Sequence, residues 1–185
     1  MANAPPEIWT IGHSTLSIEE FLALLKAQSI RALADVRRFP GSRRHPQFGQ
    51  QQLCESLARA GIEYVHFPEL GGRRLAQPDS PNTAWRNEAF RGYADYMAAE
   101  PFRAGMKRLL SLARKQRTAI MCAEALWWRC HRALIADYLK AGGWKVRHIL
   151  APNKVEEHPF TAAARIVEGK LSYGASKSEL RFDFG

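Results

Sequence analysis

Along the chain the spacing of apolar and polar positions switches repeatedly between a period of two and a period near 3.6, and each switch marks a new element. Glu7 to Gly12 (EIWTIG) is a short apolar, β-rich run that ends in Gly-His-Ser. Ser17 and Glu20 have capping-box spacing, and Ile18, Phe21, Leu22 and Leu25 follow on one face, which predicts an amphipathic helix to about Gln28. Ala32 to Arg37 predicts a second strand that breaks into a loop at Pro40-Gly41. Gln50 to Ala60 reads as a helix with Leu53 and Leu57 inward and Gly61 as its stop.

Ile62 to Phe67 reads as the third strand, ended by Pro68. Glu69 to Asn87 is rich in Gly, Pro, Asp, Ser and Asn, and a loop that long is usually functional or disordered. Phe90 to Ala99 and Phe102 to Gln116 predict two helices parted at Pro101. Thr118 to Ala123 is almost continuously apolar, as a central strand would be. A helix is expected from around Cys130 to Lys140, stopped by Gly142-Gly143, and Lys145 to Leu150 reads as a fifth strand. One more helix is expected over Thr161 to Glu168.

Strand and helix alternating through short connections predict an α/β fold: one domain with a roughly five-stranded, mainly parallel sheet and helices on both faces. Residues 1–150 are expected to form this domain, and residues 151–185 to pack on it as a C-terminal extension. Ligands of such sheets bind outside the carboxyl ends of the strands, so polar side chains should gather just after each strand.

With 185 residues, 46% of them hydrophobic, the chain can bury a full core without a disulfide or metal staple. It has no apolar run of about 18 residues and no apolar stretch behind its first residues, so neither a membrane span nor a signal peptide is expected. Three cysteines, an odd and small number, suit a reduced, cytoplasmic protein better than a secreted disulfide scaffold. The net charge is +9, and arginine supplies 19 of the 27 basic residues. Its planar fork suits phosphate and carboxylate, although genome composition accounts for such a bias equally well.

The loops after the strands carry the candidate chemistry. His13 and Ser14 follow the first strand; the second contributes Asp35 near its end, then Arg37, Arg38, Ser42, Arg43 and Arg44. The segment Cys122 to Arg132 holds Glu124, Cys130, His131 and Arg132 beside an expected helix start, where free N–H groups favour anions and lower a thiol pKa. His13, Asp35, Glu124, Cys122 and Cys130 are the candidates for proton or nucleophilic chemistry. Ser14, Arg37, Ser42, His131 and Arg132 are the candidates for holding a ligand. Each has a plainer reading beside it: an inert buried thiol, a structural ion pair between Asp35 and Arg37, a solvated basic loop. A Cys2His2 metal set drawn from Cys122, Cys130, His131 and His13 lacks any familiar ligand spacing.

Four motifs in this order, Thr10-Ile11-Gly12-His13-Ser14, Asp35-Val36-Arg37 with Pro40 and Ser42, Leu70-Gly71-Gly72, and Cys122-Ala123-Glu124 leading to Cys130-His131-Arg132, resemble the DUF488 family, a prokaryotic family of unassigned function. The likeness spans roughly Ile8 to Leu150 and implies an α/β domain, but no reaction and no cofactor. The function expected from the loops themselves is binding of a phosphate-bearing ligand, a nucleotide or nucleic-acid end, with or without catalysis. A non-enzymatic nucleic-acid-binding module using Arg37 to Arg44, and a Cys/His redox or metal site, are the alternatives. No membrane partner is expected, and neither a cofactor nor an oligomeric state can be read from the sequence.

Overall fold

The computed structural model describes residues 4–174 apart from Ser42. Its sheet is six-stranded. The strands are β1 (Glu7–Gly12), β2 (Ala32–Asp35), β3 (Glu63–His66), β4 (Thr118–Cys122), β5 (Lys145–Ala151) and β6 (Lys154–Glu157), in the order β3-β2-β4-β1-β5-β6. All neighbours pair parallel except β5 and β6. The fold class is α/β, as the alternation of periods implies.

Helices α1 (Ile18–Ala27) and α2 (Gln50–Arg59) carry the chain from β1 through β2 to β3 and cover one face. There Phe21, Leu25, Leu53 and Leu57 meet Trp9, Ile11, Leu33 and Met121. Helices α3 (Glu88–Tyr96), α4 (Glu100–Lys115) and α5 (Arg132–Ala141) carry it back across the other face. Here Tyr93, Phe102, Met106 and Leu134 meet Ile8, Ala34, Ile120 and Cys122. Strand neighbours thus divide between the two cores with the period of two that a sheet buried on both faces requires.

The local signals act as expected at α1. The Ser17 hydroxyl accepts from the Glu20 amide (3.1 Å) and the Glu20 carboxylate accepts from the Ser17 amide (2.8 Å). Gly61 ends the turn after α2 with φ at +70°, a conformation that favours glycine. Pro101 falls in the first turn of α4, where its missing N–H costs nothing.

Two readings need correction. No helix forms over Thr161 to Glu168; instead β7 (Arg165–Val167) and β8 (Lys170–Ser172) make a hairpin. Its two turn residues, Glu168 and Gly169, both have positive φ, so Glu-Gly here is a hairpin turn rather than a helix end. The helix expected from Cys130 begins at Arg132, because a single 3-10 turn over Trp127–Arg129 uses up the preceding residues and leaves Cys130 extended. A sixth strand, β6, also joins the sheet through a tight return after β5.

Candidate functional site

The outgoing connection from β1 crosses towards β2 over one face, while that from β4 crosses towards β5 over the other. Between these adjacent strands the loops diverge, and such a switch point leaves a crevice at the carboxyl ends. A cleft of about 870 Å3 occupies this place, walled by the turns after β1, β2 and β4 and by Gly72-Arg73 from the long loop. It brings together His13, Ser14, Arg37, Cys122, Glu124, Cys130 and His131 from segments far apart in the chain.

The two turns at its centre are pinned to each other. The His13 amide donates to the Cys122 carbonyl (3.1 Å) and the Ser14 amide to the Ala123 carbonyl (2.9 Å). Gly12 has no alternative at its position, since a Cβ there would lie 1.8 Å from the Glu124 carbonyl oxygen. Ser14 takes a left-handed conformation, φ 46°, to turn the chain away.

On the α1–α2 face lies an acid–arginine strap. Asp35, 0% exposed, accepts from Arg37 Nε (2.9 Å), Arg37 Nη2 (2.6 Å), the Arg37 amide (3.0 Å) and the Tyr64 hydroxyl (2.8 Å). Arg37 Nη1 donates to the Phe48 carbonyl (2.8 Å). Asp35 does not line the cleft; its carboxylate is spent on holding Arg37. His13 stacks on Phe48 at 4.2 Å and its Nδ1 donates to the Ser14 carbonyl (3.0 Å), so Nε2 is the acceptor that faces Arg37 Nη1 at 3.4 Å. Burial and then the Arg37 charge hold the His13 pKa down at about 4, which keeps the ring neutral at pH 7.

On the α5 face lies a thiol pair. Cys122 Sγ and Cys130 Sγ are 3.0 Å apart. Cys130 Sγ also accepts from Arg132 Nε (3.3 Å) and from the Arg132 amide (3.4 Å). Burial alone would raise the Cys130 thiol, but the hydrogen bond from Cys122, the Arg132 guanidinium and His131 outweigh it and bring the pKa down to about 5. Burial and the neighbouring Cys130 push Cys122 the other way, well up, so the pair shares one proton and one negative charge. His131 donates from Nε2 to the Val36 carbonyl (3.0 Å), tying α5 to the end of β2.

Arg132, expected as a ligand-binding residue, sits behind the cleft wall. It is 1% exposed, and its guanidinium donates to Cys130, to Thr10 Oγ1 (3.2 Å) and to the carbonyls of Glu124 and Ala125. Behind it runs a polar line that the sequence alone did not reveal. Thr10 Oγ1 meets His148 Nδ1 (2.7 Å), His148 Nε2 meets His158 Nδ1 (2.9 Å), and His158 Nε2 meets Asp137 Oδ1 (2.9 Å). The assignment that leaves no donor orphaned runs one way, from Arg132 through Thr10 and both imidazoles to Asp137. Thr161 and Tyr173 complete the Asp137 carboxylate.

Glu124 is exposed at the cleft, and its carbonyl rather than its side chain holds the structure together. Ser42 lies outside the described residues. Arg44, Arg73 and Arg129 also line the cleft, and none of their guanidinium groups bonds or pairs with another described residue. Arg73 directly follows Gly71-Gly72, and Arg44 and Arg129 lie further along the loops that leave β2 and β4, on the side of the sheet where its ligands bind. Among the described residues no group of three or more His, Cys, Asp or Glu side chains is placed to hold a metal ion.

The family model described as Domain of unknown function DUF488 matches residues 17–139. The chain belongs to the DUF488 family. The DUF488 match takes in Asp35, Arg37, Cys122, Glu124, Cys130, His131 and Arg132, while the Gly-His-Ser turn lies just ahead of it. No curated protein and no solved structure matches the chain.

Proposed function

We propose that this DUF488 cleft binds a phosphate-bearing ligand, a nucleotide or the end of a nucleic acid. The observation that carries the reading is the trio Arg44, Arg73 and Arg129, whose guanidinium groups bond to no other described residue around one cleft at the switch point of the sheet. A guanidinium with free N–H groups is built to take a phosphate bidentately. The phosphate contacts therefore pass from Arg132 to these rim arginines, and Arg37 keeps a supporting position on the floor. Phe39, 69% exposed at the mouth with Arg38 against its ring, offers a surface on which a base can stack.

Calorimetric titration with inorganic phosphate, adenosine diphosphate and a short 5′-phosphorylated oligonucleotide tests the proposal. Binding of at least one probe is expected, falling at least tenfold in the Arg73→Glu/Arg129→Glu variant and weakening steeply with salt. Failure of all three probes at low salt, or unchanged affinity in the charge-reversed variant, overturns it. An enzyme would add turnover of the bound probe; a binding module would return it unaltered.

A further inference from the structure

Cys122 ends β4 and Cys130 precedes α5, yet their sulfurs lie 3.0 Å apart on the wall of the cleft. Neither is engaged in a disulfide, and the third cysteine, Cys54, is exposed on α2 away from the cleft. Two sulfurs this close, one of them facing a guanidinium 3.3 Å away, form more than a pair of inert core thiols. We propose that Cys130 and Cys122 are a reversible dithiol–disulfide couple that exchanges with low-molecular-weight disulfides entering the cleft, with Cys130 as the attacking sulfur and Cys122 as the resolving one.

The assignment of the two sulfurs follows from their surroundings. Cys130 is 8% exposed and Cys122 2%, so an incoming molecule meets Cys130 first. Cys130 also holds the negative charge, stabilised by Arg132 and by the Cys122 S–H, and the thiolate is the nucleophile in exchange. In the first step the Cys130 thiolate attacks one sulfur of R–S–S–R; the Cys130–S–R bond forms, the R–S–S–R bond breaks, and RS⁻ leaves. In the second step Cys122 gives its proton to the departed thiolate and its sulfur attacks Cys130 Sγ. The Cys122–Cys130 bond forms as the Cys130–S–R bond breaks and a second RS⁻ leaves. The protein has lost two electrons and one proton, and the disulfide has become one RSH and one RS⁻. Reduction by an external thiol runs the same steps backwards.

This couple does not depend on the phosphate reading, because its test contains no phosphate. The full chain with Cys54→Ser is reduced, exchanged into buffer at pH 7 and mixed with oxidised glutathione. Two thiols should disappear, two equivalents of reduced glutathione should appear, and peptide mass spectrometry should find Cys122 joined to Cys130. Adding Cys122→Ser should trap a Cys130–glutathione adduct, whereas Cys130→Ser should slow labelling of Cys122 at least tenfold. Titration of the Cys54→Ser chain in glutathione buffers should give one two-electron transition, a readout that needs neither further variant to fold. Thiols that react only in urea, or equal labelling rates for the two serine variants, would overturn the proposal.

Discussion

The coupling between Arg132 and Cys130 should depend on pH, and its size can be worked from the geometry. The ordinary thiol value is 9.0 and Cys130 sits at about 5, so its thiolate is favoured over the thiol throughout this interval. At pH 7, two pH units above that value, the preference is on the order of 3 kcal/mol, since each unit is worth about 1.4 kcal/mol. Near pH 5 it vanishes, and by pH 8 it has grown to about 4 kcal/mol. Burial opposes the thiolate, and the Cys122 hydrogen bond and Arg132 together overcome it, so these figures are the net of the three and not the arginine's own share. A double-mutant cycle of Arg132→Met and Cys130→Ala isolates the shared part.

Urea unfolding of the four proteins, all carrying Cys54→Ser and kept reduced, supplies the cycle at pH 5, 6, 7 and 8. The expected coupling is about 1–2 kcal/mol at pH 7, near zero at pH 5 and larger at pH 8. Arg132→Met by itself should cost about 3–5 kcal/mol, because the Glu124 and Ala125 carbonyls lose their donors along with the thiolate's cation. That is a large fraction of the 5–15 kcal/mol typical of a domain, so Arg132→Lys, which retains the charge, serves as the milder variant. A coupling of the same size at all four pH values would refute the ion pair and leave Arg132 as a packing residue.

Asp35→Asn should destabilise the fold by about 3–5 kcal/mol in urea, since Arg37 then keeps its buried charge without a counter-ion; a change under about 1 kcal/mol would deny the strap its role. Stability should also fall on acidification. The folded pKa of His13 is depressed to about 4 from 6.5, so the unfolded chain takes up protons that the folded ring refuses, and stability present above pH 6.5 is lost as the pH falls towards 4. Buried His131 and His148 shift downwards as well, and Cys130 acts in the same direction between pH 9 and 5. Thermal unfolding followed from pH 8 to 4 should show a steadily falling Tm, with His13→Gln removing part of the fall; a flat profile would count against the neutral ring.

The elements with strong local signals were legible because local physics decides them. The α1 capping box, the proline in the first turn of α4 and the buried run of β4 need no tertiary information. The tail was not legible: Glu168-Gly169 is compatible with a helix end or a hairpin, and only packing against Asp137 through Thr161 and Tyr173 selects between them. The site was legible as a set of loops but not as a set of roles. The rule about strand ends locates His13, Arg37, Cys122 and Cys130 at one rim, yet it cannot say which way a side chain turns once there. His158 and Asp137 gave no signal at all, because their partners lie on different elements and their polarity is consumed inside the core.

The division of work among the arginines has a single physical reason. A guanidinium removed from water must satisfy its charge and its donors from the protein, so Arg37 and Arg132 are paired with Asp35 and Cys130 and bonded to main-chain carbonyls. What they give in return is fixed geometry, on opposite faces of the sheet because Asp35 and Cys122 alternate in the pleat with neighbours of opposite orientation. A guanidinium that must take up and release a ligand needs the reverse: open donors and solvent to carry its charge meanwhile. Arg44, Arg73 and Arg129 meet that condition and sit where the loops from β2, β3 and β4 open at the cleft. Two buried arginines hold the cleft in shape, Arg37 on its floor through a carboxylate and Arg132 behind its wall through a thiolate. A thiolate as the second counter-ion differs from a carboxylate in being also a nucleophile, and that is the property on which the proposed exchange draws.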